Sequence, residues 1–455
     1  MDASVLNDMV ASIENRSAQG IAAAIGRLVS AGDLPVGARL PTVRELSKAL
    51  GVSPTTVSEA WKTLASVGAI EPRGRLGTFV RRPPGPGGTH RYRRITDGPG
   101  HFELDLSTGF PDVALLPDLG PIVADVSRQS LTNSYLDRPV LPELWEHLHG
   151  AWPFPAEELT VVDGAMDAID RVAREVLHLG DRVVVENPTF PPVLDLFDQL
   201  GTEVIGVNLD EEGMVLAELA TALAYEPRMV FLQPRAHNPT GITMTAKRAR
   251  AIARLLAAGT AVVVEDDHSG DIASGEPVSI GRWLPDRTVH IRSYSKSHGP
   301  DLRLAAVGGA GSVIDAVTDR RLLGPGWSSR ILQSVLLALL TDTTTTWAVD
   351  AARHTYAARR RTFARALAER GLPTTGTDGI NQWVPVADER SAMVELAAQG
   401  IGVAPGEPFT VRPAGDHLRI TIGLVDGSDA AIEQLAEQVA GAAGPAAGRR
   451  SRRPA

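Results

Sequence analysis

The chain has 455 residues, of which 43% are hydrophobic and 22% charged, with a formal net charge of −9 and no cysteine. This is the make-up of an ordinary globular protein long enough for more than one domain. It excludes disulfides and cysteine-based metal sites, and it argues against nucleic-acid binding unless basic charge is concentrated locally. The N-terminal run MDASVLNDMV lacks the basic-then-apolar pattern of a secretion signal, and the apolar run from Ile331 to Leu340 is too short to span a bilayer. A cytoplasmic location without membrane attachment is therefore expected.

Residues 1–80 read as a small basic module. Ile21, Ile25 and Leu28 space a first helix, which Pro35 and Gly37 end. Thr42 and Glu45 form a capping box for a second helix, with Leu46 and Leu50 on its buried face and Gly51 as its stop. Ser53-Pro54 opens a third helix, whose stripe Val57, Ala60, Trp61 and Leu64 faces inward while Thr55, Thr56, Ser58 and Lys62 face outward. Two short strands around Arg73-Gly74-Arg75 complete a winged helix-turn-helix. Its second motif helix is expected in the major groove of DNA and its wing at the backbone or minor groove. Arg39, Arg44, Lys48, Lys62, Arg73, Arg75, Arg81 and Arg82 outnumber Glu45, Glu59 and Glu71, so this module is basic on an acidic chain.

Residues 81–102 are rich in proline, glycine and arginine and read as a flexible linker spanning about 25 Å. From 103 to 441, short apolar strands alternate with helical patterns: Leu159–Val162, Arg182–Val185, Val204–Val207, Met229–Leu232, Ala261–Val264 and Thr288–Ile291. That order predicts an α/β domain with a mainly parallel sheet, whose site lies beyond the carboxyl ends of the strands, followed by a smaller α/β lobe from 346. The basic tail 442–455 is expected to be disordered.

The residues after those strands supply a set of anchors. Asp163-Gly164-Ala165-Met166 turns into a helix N-terminus suited to a phosphate. Phe190 either packs in the core or stacks on a flat ring. Asn238, in Asn-Pro-Thr-Gly, either makes a turn or reaches a ring hydroxyl. Glu265-Asp266-Asp267-His268 puts acids where they need a cationic partner. Ser293-Tyr294-Ser295-Lys296 places a lysine at a strand end, where lost solvation favours its neutral form, the one that reacts with an aldehyde. Arg303 follows seven residues later, and Arg419 lies near the end. Aldehyde and phosphate together point to pyridoxal 5'-phosphate (PLP).

The run from Leu40 to Val80 resembles the GntR family of bacterial transcription factors, and residues 103–441 resemble fold-type I aminotransferases. Their fusion resembles the MocR subfamily of regulators. The first resemblance implies DNA contacts by Arg44, Ser53, Thr55, Thr56, Gly74 and Arg75; Pro54 stands where many members carry arginine. The second implies that Lys296 is the Schiff-base lysine, Asp266 pairs with the pyridine nitrogen, Asn238 contacts the ring oxygen and Phe190 stacks on the ring. Ala165, Met166, Ser293 and Arg303 would hold the phosphate, and Arg419 would bind a substrate or effector carboxylate. Tyr135 is the position that would reach the partner subunit's phosphate in a homodimer. His268 stands where a tyrosine is usual and can still donate to the ring oxygen. No metal is expected. The implied function is a PLP-dependent, DNA-binding regulator that senses an amino acid or amine without net turnover; the alternative is a working aminotransferase that also binds DNA.

Overall fold

The computed structural model describes residues 3–13, 15–31, 33–66, 69–80, 91–96, 102–128, 134, 137–413, 415–425 and 427–444. The DNA-type module is built as its caps require. A helix over Ala3–Ser12, which the sequence pattern does not suggest, precedes the helix Ala18–Ala31. The helix Val43–Leu50 starts at Thr42, whose hydroxyl accepts from Glu45 N while the Glu45 carboxylate accepts from Thr42 N, and ends at Gly51 with φ 69°. The next helix, Pro54–Ser66, is held at its start by Ser53 Oγ, which accepts from Thr56 N at 3.1 Å. Strands β1 (Ile70–Pro72) and β2 (Thr78–Val80) pair antiparallel to make the wing. Ile21, Ile25, Leu46, Leu50, Val57 and Leu64 are fully or almost fully buried between them.

Within the segment expected to be a flexible linker, residues 81–90 and 97–101 lie outside the described residues, but Arg91–Thr96 is a helix. It is seated on the large domain: Arg91 N donates to Asp195 at 3.0 Å, and Ile95 is buried against Trp383, Ala404 and Phe409. Its arginine-rich composition hid this, because one buried isoleucine carries no helical period.

The large domain is an eight-stranded sheet. Its strands are β4 (Glu158–Val162), β5 (Arg182–Asn187), β6 (Glu203–Asp210), β7 (Gly213–Met214), β8 (Met229–Leu232), β9 (Val262–Asp267), β10 (Thr288–Ser293) and β11 (Ala305–Gly309), with β3 (Leu104–Asp105) lying apart beside the small lobe. The order is β4-β11-β10-β9-β8-β5-β6-β7, parallel from β10 through β6 and antiparallel at β11 and β7. β11, Ala-Ala-Val-Gly-Gly, was not expected as a strand; buried along its whole length, it lacks the run of bulky apolar residues that marked β5 and β8. Both faces of the sheet carry apolar clusters, one around Val172, Phe197 and Phe231, the other around Leu219, Ile252 and Val263. The helix Thr343–Glu369 leads to a small lobe in which β12 (Gln382–Pro385) and β14 (Ala404–Pro405) flank β15 (His417–Ile420), while β13 (Ile401–Gly402) pairs with β3. The final helix runs to Ala443; residues 445–455, most of the expected tail, lie outside the described residues.

Candidate functional site

Sheet register brings the anchors to one edge. Asp266 pairs with Ile291, Ser293 with Ala305, and Ala305 with Val162, so the ends of β9, β10 and β4 are level. Arg303 enters β11 at that same edge, and its Nη2 donates to Asp163 O at 3.3 Å. The turn between is tight. Gly164 has φ 108°, and a Cβ there would stand 3.1 Å from Arg303 Nη2. Gly164 caps the twelve-residue helix beginning at Ala165, whose first N–H groups have no partner within the helix. Arg303 itself adopts φ 49°, a conformation non-glycine residues hold only under constraint. Ser293 is buried at the end of β10.

The acidic triplet, expected just beyond its strand, is the last part of β9 itself. Strand alternation therefore sends Asp266 to one face and Glu265 and Asp267 to the other. Glu265 is saturated: it accepts from Ser279 Oγ (2.6 Å) and Ile280 N (2.6 Å), and His290 Nδ1 lies at 2.9 Å. Burial alone would raise Asp267, but Arg235, 2.5 Å away, and His290 hold it at about 2. Asp266 is different. Gln233 Nε2 donates to its Oδ2 at 2.8 Å, while its Oδ1 is buried without a hydrogen bond. Burial pushes it up to about 6, with Gln233 and Lys296 opposing. A buried carboxylate with a vacant oxygen suits a cationic N–H donor.

Lys296 lies across this space. Burial pulls it down to about 8 against the attraction of Asp266, and Arg419 lowers it further. Its Nζ is 3.0 Å from His268 Nδ1. His268 Nε2 is 2.9 Å from Ala236 O, which can only accept, so Nε2 carries the proton and Nδ1 accepts from the lysine. Burial holds His268 well below the usual imidazole range, so it stays neutral. Its observed partners are thus the lysine, a carbonyl and, 3.4 Å from Nδ1, the Ser269 hydroxyl.

A second chain of contacts crosses to the small lobe. Asn238 Oδ1 accepts from Asn381 Nδ2 at 3.4 Å, Thr421 Oγ1 donates to Asn381 Oδ1 at 3.2 Å, and Gly109 N donates to Thr421 Oγ1 at 2.9 Å. Arg419, in the middle strand β15 and 2% exposed, donates to Ser107 O and lies over the Phe409 ring at 5.2 Å. Among the described residues no cluster of His, Asp and Glu could hold a metal ion, and no helix is long and apolar enough to cross a membrane.

Comparison with known proteins accounts for this arrangement. The model of the aminotransferase class I and II family matches residues 103–439. The chain belongs to that family. A second model, for bacterial regulatory proteins of the GntR family, matches residues 17–80, so the chain is a MocR-type fusion of both. Among curated relatives, the vitamin B6 salvage pathway transcriptional repressor PtsJ of Salmonella typhimurium is 37% identical over 94% of this chain and 98% of its own. The HTH-type transcriptional regulator TauR of Rhodobacter capsulatus is 26% identical over 84% of this chain and 87% of its own. Among solved structures, the α-aminoadipate aminotransferase LysN of Thermus thermophilus superposes with a TM-score of 0.68 at 20% identity, over 79% of this chain and 96% of that one. The multiple substrate aminotransferase of Thermococcus profundus also gives 0.68, at 22% identity, over 76% and 91%.

The MocR-type pocket thus gathers Lys296, Asp266, His268, Asn238, Ser293 and Arg303 along the sheet edge, with Arg419 facing them from the small lobe. Met166 and Phe190 are partly buried against the sheet's core cluster, Phe190 at the start of the helix Pro191–Gln199. Tyr135 lies outside the described residues. In the DNA module Arg44, Ser53, Thr55 and Gly74 are exposed and Thr56 is half-buried; Arg75 belongs to the wing turn Gly74–Leu76. Sequence reasoning missed Gln233, which ties Asp266 to the backbone N–H of Asn238 (2.8 Å to its Oε1), as well as Arg235, Asn381 and Phe409. A signal existed for the first two, since Gln233-Pro234-Arg235 follows β8 as Asp266 ends β9. None existed for the others, whose partners are distant in sequence.

Proposed function

We propose that this MocR-type regulator holds PLP in the pocket around Lys296, binds operator DNA through residues 1–80, and works in the cytoplasm as a homodimer. The observation that carries the reading is the vacant Asp266 Oδ1, buried beside a lysine that burial has made easy to deprotonate. When bound, PLP supplies an aldehyde for amines and a phosphate for anchorage. Asp266 would accept from the protonated ring nitrogen, and Gln233 would fix that carboxylate. Asn238 would donate to the ring oxygen, His268, whose one N–H is given to Ala236 O, would lie beside it without donating, and Phe190 would cover a ring face. Ala165, Met166, Ser293 and Arg303 would bind the phosphate, and Arg419 an effector carboxylate. His268 Nδ1 holds the Lys296 proton-bearing nitrogen in place until the amine reacts. On the DNA side, Arg44, Ser53, Thr55 and Thr56 would meet the major groove and Gly74 and Arg75 the backbone.

Two signals suit this pocket. One is an amino acid or amine that displaces Lys296. The other is PLP itself, and the name of the Salmonella relative, a repressor of vitamin B6 salvage, favours it.

Mixing the purified protein with PLP and reducing it with borohydride tests the reading. One pyridoxyl group should be fixed, on Lys296. The rate of fixation should fall roughly tenfold per pH unit below about 8, because only the neutral amine attacks. Fixation on another lysine, or a flat rate below that pH, would remove Lys296 from its role.

A further inference from the structure

The small-lobe helix Glu389–Ala398 touches both ends of the route from pocket to DNA. At its middle, Val394 is fully buried, and the core it joins is that of the DNA module. The module helix Ala18–Ala31 makes room for it at Gly26, where a Cβ would lie 3.2 Å from a Val394 methyl. Farther along the same pair of helices, Gln19 Nε2 donates to Ala398 O at 2.7 Å. A cleft of about 360 Å³, lined in part by Gln19, Arg27, Glu395 and Gln399, runs beside this contact. The two helices therefore pack closely along much of their length, the small-lobe helix also touching Pro54–Ser66, with free space to one side.

At its first residue, the same helix is tied to the pocket. Glu389 Oε2 accepts from Gly406 N at 2.8 Å and from Glu407 N at 3.0 Å. Those residues open the turn Glu407–Phe409, and the Phe409 ring lies beneath the Arg419 guanidinium. The helix Arg91–Thr96 grips the same turn, through the Arg94–Glu407 ion pair at 2.5 Å and through Ile95 against Phe409. Among the described residues, the helix seated on the DNA module and the helix Arg91–Thr96 thus meet at the turn under Arg419.

We propose that the helix Glu389–Ala398 is a lever: a carboxylate bound at Arg419 moves the Phe409 turn, Glu389 carries the movement into the helix, and the Gly26–Val394 contact turns it into a new orientation of the DNA module. This rests on the sensing role proposed above. A ligand changes operator affinity only if it favours one orientation over the other. Adjacency alone does not establish coupling, so the test must measure coupling itself.

The probe is phosphopyridoxyl-L-alanine, a stable molecule that joins the cofactor to an amino acid carboxylate. Operator affinity is measured with and without it in the full-length wild type, Gly26→Leu, which wedges the seam apart, and Gln19→Ala, which removes its hydrogen bond. Probe binding is followed separately by its fluorescence, and folding by thermal melting. We expect the wild-type affinity ratio to fall in the usual allosteric range of roughly 5–150-fold. In Gly26→Leu the ratio should collapse to within about twofold of unity, and in Gln19→Ala it should fall part-way, with probe binding and probe-free DNA binding retained in both. If Gly26→Leu melts early, the ratio in Gln19→Ala decides. A wild-type ratio near unity despite tight probe binding overturns the sensing role and the lever together. A large wild-type ratio that both variants preserve overturns the lever alone.

Discussion

The DNA module and the pocket use charge in opposite ways. In the module the core is apolar, and Arg44, Lys48, Lys62 and Arg73 stand in solvent. In the pocket Asp266, His268 and Arg419, and behind them Glu265, Asp267, Arg235 and His290, are all no more than 7% exposed. A solvated cation meets a phosphate by releasing counterions, and its neighbours can substitute for it in part. A buried charge cannot be replaced in this way. It exists only with its partners, and removing one strands the others. The same contrast explains where ionisation is perturbed: burial shifts Lys296, Asp266 and His268 far from their ordinary values. Function in the module should therefore be graded and salt-dependent, and in the pocket sharp and specific to single atoms.

Two substitutions sharpen that contrast. The larger effect is expected from Asp266→Asn, which removes the negative charge proposed to meet the ring nitrogen. A hydrogen bond to a charged group contributes about 1.5–3 kcal/mol, so PLP affinity should fall roughly 10–150-fold. The PLP-free protein should not lose stability, since burying this carboxylate is already unfavourable. Equilibrium dialysis of PLP and thermal melting check the two halves, and an affinity within about twofold of wild type would break the assignment. The smaller effect is expected from Arg44→Ala. Loss of one phosphate contact should weaken operator binding about equally across sequences and lower the salt slope by roughly one unit. Operator titrations over a range of salt concentrations measure this; an unchanged slope would take Arg44 off the DNA.

What was legible in the sequence follows the same divide. Capping chemistry is local, so Thr42, Glu45, Gly51 and Ser53-Pro54 marked the module's helices directly, and the structure shows the capping box atom for atom. The pocket was legible where an anchor follows its own strand, as with Lys296 after β10 and Asp266 at the end of β9. It was illegible where a residue acts through a partner far along the chain. Asn381 bridges Asn238 and Thr421, and Phe409 underlies Arg419; neither bears a local mark of its task. β11 escaped because Ala-Ala-Val-Gly-Gly lacks the run of bulky apolar residues that marked β5 and β8. The seat of the DNA module escaped as well. Val394 reads as one more apolar residue on a helix, and only packing reveals that the core it completes belongs to another domain.

The central claim is that the state of the pocket sets the affinity for DNA. It is tested most directly by measuring operator affinity at one fixed salt concentration for the PLP-free protein, the PLP-loaded protein, and the loaded protein with each member of a panel of amino acids and amines. At least one loaded state should differ from the PLP-free protein by roughly 5–150-fold. In Lys296→Ala, any difference that depends on an amine displacing the lysine should vanish while PLP-free DNA binding remains. A single affinity shared by every state of the wild type would contradict the account.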